Sequence, residues 1–442
     1  MIYHFNKFKM LFKNNYRKSI LKASFVSIFF LFINIFYSIE IVRENIEDAG
    51  FDIMNKLVLN NIHENTNSSN VILFGFDDLY MKKENLFDEY NQPNYGYLFP
   101  RDKITVFIRG LDSFSNNINP INRPKVLFID YDFSFSSLPG GKNISKEDKD
   151  LIEELKKDRD YIILIPKTSQ ANMIENSHDV ELKQKIKDNK IIFVSVDFLN
   201  SKDHITRRYL GYKNMKDTHN NYNFYPNVSI VIWDIINNKE LDYNKIKNIF
   251  KEKDVVSNRI IIKKYKSSLI NNECIIHQSL WDKFTKYSAK CSLYDIMEEK
   301  FSNGIIILGA TYNNNPDEFD TLSIKNFLEP IKGVELHANT LMTIFFSNGQ
   351  LTSLDLKYGL IIVFFTIFLC DLFINKIFKT KFLSMQKYQY IVFLILTGSS
   401  FFIFSIIFLI YYKIWFSWFI IIIIEFIYFI FEINFLKKFL KL

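Results

Sequence analysis

The chain has 442 residues, 48% of them hydrophobic, and a formal net charge of +7. The apolar residues gather in four segments with basic residues at their ends. This composition excludes a wholly soluble protein and makes the positive charge a signature of membrane orientation rather than of a nucleic-acid surface.

A basic stretch, 1–22, carries Lys7, Lys9, Lys13, Arg17, Lys18 and Lys22 ahead of the first expected span, 23–42. Crossing a bilayer takes roughly 20 residues of apolar helix, and the segments 358–374, 388–412 and 414–436 also fit that requirement. Lys376, Lys379, Lys381 and Lys387 separate the second and third spans, and Lys437, Lys438 and Lys441 lie in the tail, 437–442. Positive charge is retained on the cytoplasmic side. All three clusters therefore predict a multi-pass protein of a bacterial inner membrane, with cytoplasmic termini and an extracytoplasmic region over 43–355. "NIFYSIEIV" offers bulky residues where signal-peptide cleavage needs small ones, so the first span reads as an uncleaved anchor. Cys370 falls in a span, whereas Cys274 and Cys291 fall in the external region, where a disulfide can persist. Two buried free thiols fit the sequence equally well.

Within the external region "NIHENTNSSN" (61–70) reads as a polar linker into the first strand, "VILFGF" (71–76). Further buried strands are predicted at "KVLFI" (125–129), "YIILI" (161–165), "KIIFVSV" (190–196) and "GIIILG" (304–309), each a short apolar run bounded by turn formers. Helical patterns fall at 102–111, 145–157, 227–238 and 292–301. Strand–helix alternation predicts an α/β extracytoplasmic domain with a mainly parallel sheet, added to four transmembrane α-helices.

These stretches carry a resemblance. "FGFDD" (74–78), "FPRDKITVFIRGL" (99–111), "FIDYDFSF" (128–135) with "EDKDLIEEL" (147–155), "DHITRRYL" (203–210), "GIIILGATYNNNPDEFDT" (304–321) and "GVELHANTL" (333–341) resemble, in order, the motifs of the type-2 CHASE domain. That family is an extracellular sensor module associated with bacterial cyclases and histidine kinases, and the three spans that follow fit its layout. Leu322 departs from the family's usual Pro. Family members also typically continue into a cytoplasmic output domain, while the cytoplasmic pieces expected here are only about 22, 13 and 6 residues, too short to fold as an enzyme.

In an open parallel sheet, ligands bind outside the carboxyl ends of the strands. Asp77 and Asp78, Asp130 and Asp132, and Asp317 with Asp320 all follow predicted strands at that end. They form a candidate crevice for an amine-bearing ligand with Arg101 nearby, or for a hard cation held by oxygens; whether a metal binds is left open. The alternative is that such aspartates cap helices or satisfy loop amides. In "GVELHANTL", Glu335 and His337 are two residues apart and so point to nearly opposite faces of a helix, which rules out joint chelation. Glu335 suits a first helical turn. The helix, with an apolar face of Leu336, Leu341 and Ile344, becomes a candidate relay element through Glu335, His337 and Asn339.

"LPGGKNIS" (138–145) lacks the glycine and the Ser or Thr of a phosphate loop, having Ser136 and Asn143 there. Glu425 stands in the middle of the fourth span, where an ionised carboxylate costs roughly 2.5–3.5 kcal/mol or more. Counted back from the tight turn at Lys413, "TGSS" (397–400) lies at the same depth, so a protonated Glu425 bonded to Ser399 or Ser400 is expected. Asp371, near the cytoplasmic end of its span, is expected to reach the headgroups. The first functional reading is a non-enzymatic sensor that binds a small molecule or protein outside and relays it to a separately encoded signalling partner. By analogy with two-component sensors it would be a homodimer. A structural scaffold of an envelope assembly is the second reading and an external metal-dependent enzyme the third. No cofactor and no nucleic acid is implied.

Overall fold

A computed structural model describes residues 2–35, 48–54, 71–95, 99–133, 145–167, 190–200, 204, 206–216, 222–237, 257–259, 304–312, 317–321, 329–347, 352–381, 386–412 and 414–439. The expected linker 61–70, the loop around Gly141, the helix 292–301, Leu322, Lys413, Cys274 and Cys291 lie outside the described residues. The chain divides into two compact units, one of 1–62 with 351–442 and the other of 63–350.

In chain order the helices are α1 (Ile2–Ile35), α2 (Asp48–Met54), α3 (Asp78–Lys83), α4 (Arg101–Asn117), α5 (Lys146–Leu155), α6 (Val228–Ile236), α7 (Gly333–Ser347), α8 (Leu356–Lys381), α9 (Gln386–Ile407) and α10 (Trp418–Phe439). The strands of the second unit are β1 (Val71–Phe76), β2 (Val126–Ile129), β3 (Ile162–Pro166), β4 (Ile191–Val194), β5 (Phe198–Asn200), β6 (Thr206–Leu210), β7 (Tyr212–Lys216), β8 (Tyr222–Pro226), β9 (Ser257–Arg259), β10 (Ile305–Ala310), β11 (Glu318–Thr321) and β12 (Glu329–Lys332).

Five strands form one wholly parallel sheet in the order β1-β10-β2-β3-β4. Each is a near-continuous run of Ile, Val, Leu and Phe, the composition required of strands buried on both faces. Alternate residues serve opposite cores. Ile72, Phe74, Phe76, Leu127 and Ile129 pack beneath α4 and α5, while Val126, Phe128, Ile305 and Ile307 pack against α6 and α7. A capping box at Ser145 and Asp148 starts α5, and Asn227 caps α6 through Ser229 N. The expected apolar face of α7, Leu336, Leu341 and Ile344, is buried. Antiparallel additions complete the unit: β5-β6-β9, β7-β8 and β11-β12.

The first unit is helical. α1 packs on α8 and α10, and α9 lies between α8 and α10, closing a ring of four. Tyr16 meets Phe368 edge-on at 5.1 Å and Phe25 meets Tyr428 at 5.2 Å. Two helical segments among the described residues, not four, are long and apolar enough to cross a membrane, Leu356–Ile377 and Gln389–Tyr412. The expected first span continues into 36–42, outside the described residues, and α10 is described as apolar only over the shorter Trp418–Ile430.

Candidate functional site

The carboxyl edge of the parallel sheet is where the predicted acidic residues fall, and they divide into two sets. Asp77 is the N-cap of α3, its Oδ1 accepting from Tyr80 N at 2.9 Å, and Asp78 lies in that helix's first turn. Arg101 is 1% exposed, which corrects its reading as a ligand-facing group. Its Nη2 donates to the Asp132 carbonyl at 2.7 Å, its Nε lies 3.7 Å from Asp148 Oδ1, and its guanidinium stacks 4.5 Å from the Phe133 ring. The arginine thus pins the loop after β2 to the start of α5. Burial lowers its pKa against the opposing pull of Asp148 and Asp132. Asp320 is exposed on β11, opposite Pro330.

The second set meets α7. Side chains alternate along a strand, so Ile129 faces one core and Asp130 the other. There Asp130 Oδ1 stands 3.7 Å from His337 Nε2. The imidazole is 4% exposed and packs at 5.3 Å edge-on against Phe128 and at 4.6 Å against Phe198. Its Nδ1 has no hydrogen-bond partner among the described residues, and neither has Asn339 Oδ1. Asp317 accepts from Gly333 N through its carbonyl at 3.0 Å, and its carboxyl lies against the Gly333 α-carbon. Glu335 reaches back to accept from Lys332 N at 3.2 Å, as its first-turn position required. Close approach is permitted by Gly309, where a Cβ would lie 2.7 Å from Val334 Cγ2 and 3.3 Å from Asp130 Cβ.

Burial dominates the electrostatics. It raises the pKa of Asp130 well above the usual carboxylate range, and the charge of Asp317 raises it further. Glu335 is also raised by burial, with Lys332 pulling the other way. Burial pushes His337 down to about 3. A carboxyl that favours its proton therefore faces a neutral imidazole, and a cationic group brought beside them would favour the ionised carboxylate. Among the described residues no three His, Cys, Asp or Glu side chains are placed to hold a metal ion.

Sequence reasoning missed the groups that share this edge. Tyr131 is stacked on Phe99 at 4.6 Å, and Tyr95 donates to Tyr312 at 3.1 Å. Lys167 is buried after β3, beside the rings of Phe193 and Tyr225. Tyr131, Tyr312 and Lys167 each lie just beyond a strand end, which was the available signal. A cavity of 390 Å³ lies elsewhere, lined by Arg109, Asp112, Ser115, Glu154, Arg159 and Tyr161. Its charges largely satisfy one another, Arg159 bonding both Asp112 and Glu154 and Arg109 bonding Glu154.

In the helical unit, the expected partner of Glu425 is corrected. Thr397 Oγ1 donates to Glu425 Oε2, Ser400 donates instead to the Leu396 carbonyl at 2.8 Å, and Ser399 is exposed. Asp371 does not turn toward headgroups. It pairs with Lys22 at 3.2 Å and accepts from Ser19 and Asn375.

A doubly wound parallel sheet with acidic groups at its carboxyl edge, joined in one chain to two apolar helices that fit a membrane anchor, defines an α/β domain protein. A model of the CHASE2 domain family matches residues 28–370, and the chain belongs to that family of sensory extracellular domains. Neither a curated protein nor a solved structure matches it.

Proposed function

We propose that this protein is a membrane-anchored extracytoplasmic sensor whose domain binds a small ligand at the carboxyl edge of the sheet. It relays binding through its helical bundle to a separately encoded partner. The observation that carries the reading is the Asp130–His337 contact, which couples the end of β2 to α7, the helix followed in the chain by α8. A ligand bearing a positive charge would change the charge balance of that contact, and a displacement of α7 would be its output. In this reading both termini are cytoplasmic, four helices span the membrane and the domain is extracytoplasmic. The sensory character of the CHASE2 family supports binding over catalysis.

In-membrane crosslinking and affinity capture of the full-length protein tests the relay, with Asp130→Asn compared in parallel. A kinase, cyclase or transcription regulator recovered in amounts that differ between the two supports it. Stoichiometric envelope components recovered equally with both overturn it in favour of a scaffold.

A further inference from the structure

Four helices meet at one amine. Lys22 of α1 is buried, and its ammonium lies 3.2 Å from Asp371 Oδ1 of α8, 3.3 Å from the centroid of the Phe393 ring of α9 and 5.7 Å from that of Tyr428 of α10. The carboxylate that holds it is itself held, for Asp371 Oδ2 accepts from Ser19 Oγ at 2.6 Å and from Asn375 Nδ2 at 2.8 Å.

A second carboxyl group stands on the adjoining helix. Glu425 precedes Tyr428 by three residues, so the two share a face of α10, the face whose Tyr428 ring centroid lies 5.7 Å from the Lys22 ammonium. Glu425 is 2% exposed. One of its oxygens accepts from Thr397, while Oε1 has no hydrogen-bond partner among the described residues. A buried acceptor left unmade is unfavourable, and an ammonium on a flexible four-carbon stem is the donor best able to reach it. The aromatic faces of Phe393 and Tyr428 flank the ammonium between the two helices and hold a cation without hydrogen bonds.

We infer that Lys22 is a two-position switch, its ammonium seated on Asp371 in the arrangement described and able to transfer to Glu425 Oε1, carrying α1 from α8 toward α10. One positive charge between two carboxyl groups gives the bundle two discrete arrangements, which is the physical requirement for transmitting a signal through packed helices. The inference rests on the bundle acting as a relay, but it is tested without ligand or partner. Its failure would leave the sensor reading standing, and the failure of partner capture would leave the switch standing.

The test uses full-length protein in native membranes, with Cys274, Cys291 and Cys370 replaced by Ser. Two cysteine pairs report the position of α1. Ser19→Cys with Asn375→Cys reads its seat on α8, since both parent side chains converge on one Asp371 oxygen. Phe25→Cys with Tyr428→Cys reads its contact with α10. Asp371→Asn should lower oxidative crosslinking of the first pair by roughly fivefold or more while the second pair is retained or strengthened. Adding Glu425→Gln should then abolish that retention. Unchanged crosslinking of the first pair in Asp371→Asn, or loss of both pairs in that single variant, overturns the inference. Should Asp371→Asn fail to accumulate, Glu425→Gln alone decides, because removing the competing seat must strengthen the first pair, and no change sinks the switch.

Discussion

Two facing side chains, His337 and Asp130, shape the pH response of the domain. His337 is buried and neutral, with a folded pKa of about 3 against roughly 6.5 when unfolded. A base whose folded pKa is depressed contributes stability that is present above 6.5 and is lost as pH falls toward 3, because the unfolded chain takes the proton first. Asp130, raised by burial, works the other way, since its folded form favours the proton and loses stability as pH rises above the usual carboxylate value. His337→Phe, which keeps the ring packing on Phe128 and Phe198, should therefore flatten the acid limb of thermal unfolding by up to about 1.4 kcal/mol per pH unit. An identical acid limb in parent and variant would contradict the assignment. Arg101→Met should cost about 3 kcal/mol, because it leaves Asp148 buried beside no guanidinium. Arg101→Lys should not restore the loss, since a point charge cannot stack on Phe133 and reach the Asp132 carbonyl together. Denaturant midpoints at neutral pH check both.

Elements were more legible than contacts. The five central strands stand out because each must be apolar on both faces, and the structure keeps every one within a residue or two of its sequence limits. Strands β5, β7 and β8 carry no such signal, because "FLN", "YKNMK" and "YNFYP" mix polar and apolar residues without the clean alternation of a half-buried strand. At the carboxyl edge, sequence order located which end of the sheet the aspartates share but not which face each takes. Asp130 and its neighbour Tyr131 face opposite cores, and that decides which one meets α7. The partner of Glu425 escaped for the same reason in helical form: counting residues gives depth, whereas the hundred-degree turn per residue gives azimuth, and azimuth selects Thr397 over Ser399. Thr397→Val should destabilise the α9–α10 pair by about 1–3 kcal/mol through the stranded carboxyl, and Glu425→Leu in the same chain should recover most of it, as read by thermal melting in detergent. At Gly309→Ala the new methyl meets Val334 and Asp130, so a loss of about 1–3 kcal/mol is expected from overpacking between β10 and α7.

At the scale of the whole molecule the prediction concerns sidedness. A cysteine introduced at the exposed Tyr90 should react with a membrane-impermeant maleimide in intact spheroplasts, while one at the exposed Lys376 should react only after permeabilisation. The reverse pattern would invert the orientation argued from the lysine clusters, and labelling of both from outside would remove the second span. The sheet order has a consequence for how such a protein is made. β10 sits between β1 and β2, yet it is synthesised after every other strand of that sheet. Until Ile305–Ala310 emerges, β1 and β2 flank a gap, their inner edges have no ladder to join, and both hydrophobic layers remain open. Such long-range closure is slow to nucleate. In the extracytoplasmic reading proposed above, a keystone that arrives last leaves the segment unfolded while it is threaded across the bilayer, so that collapse follows on the far side.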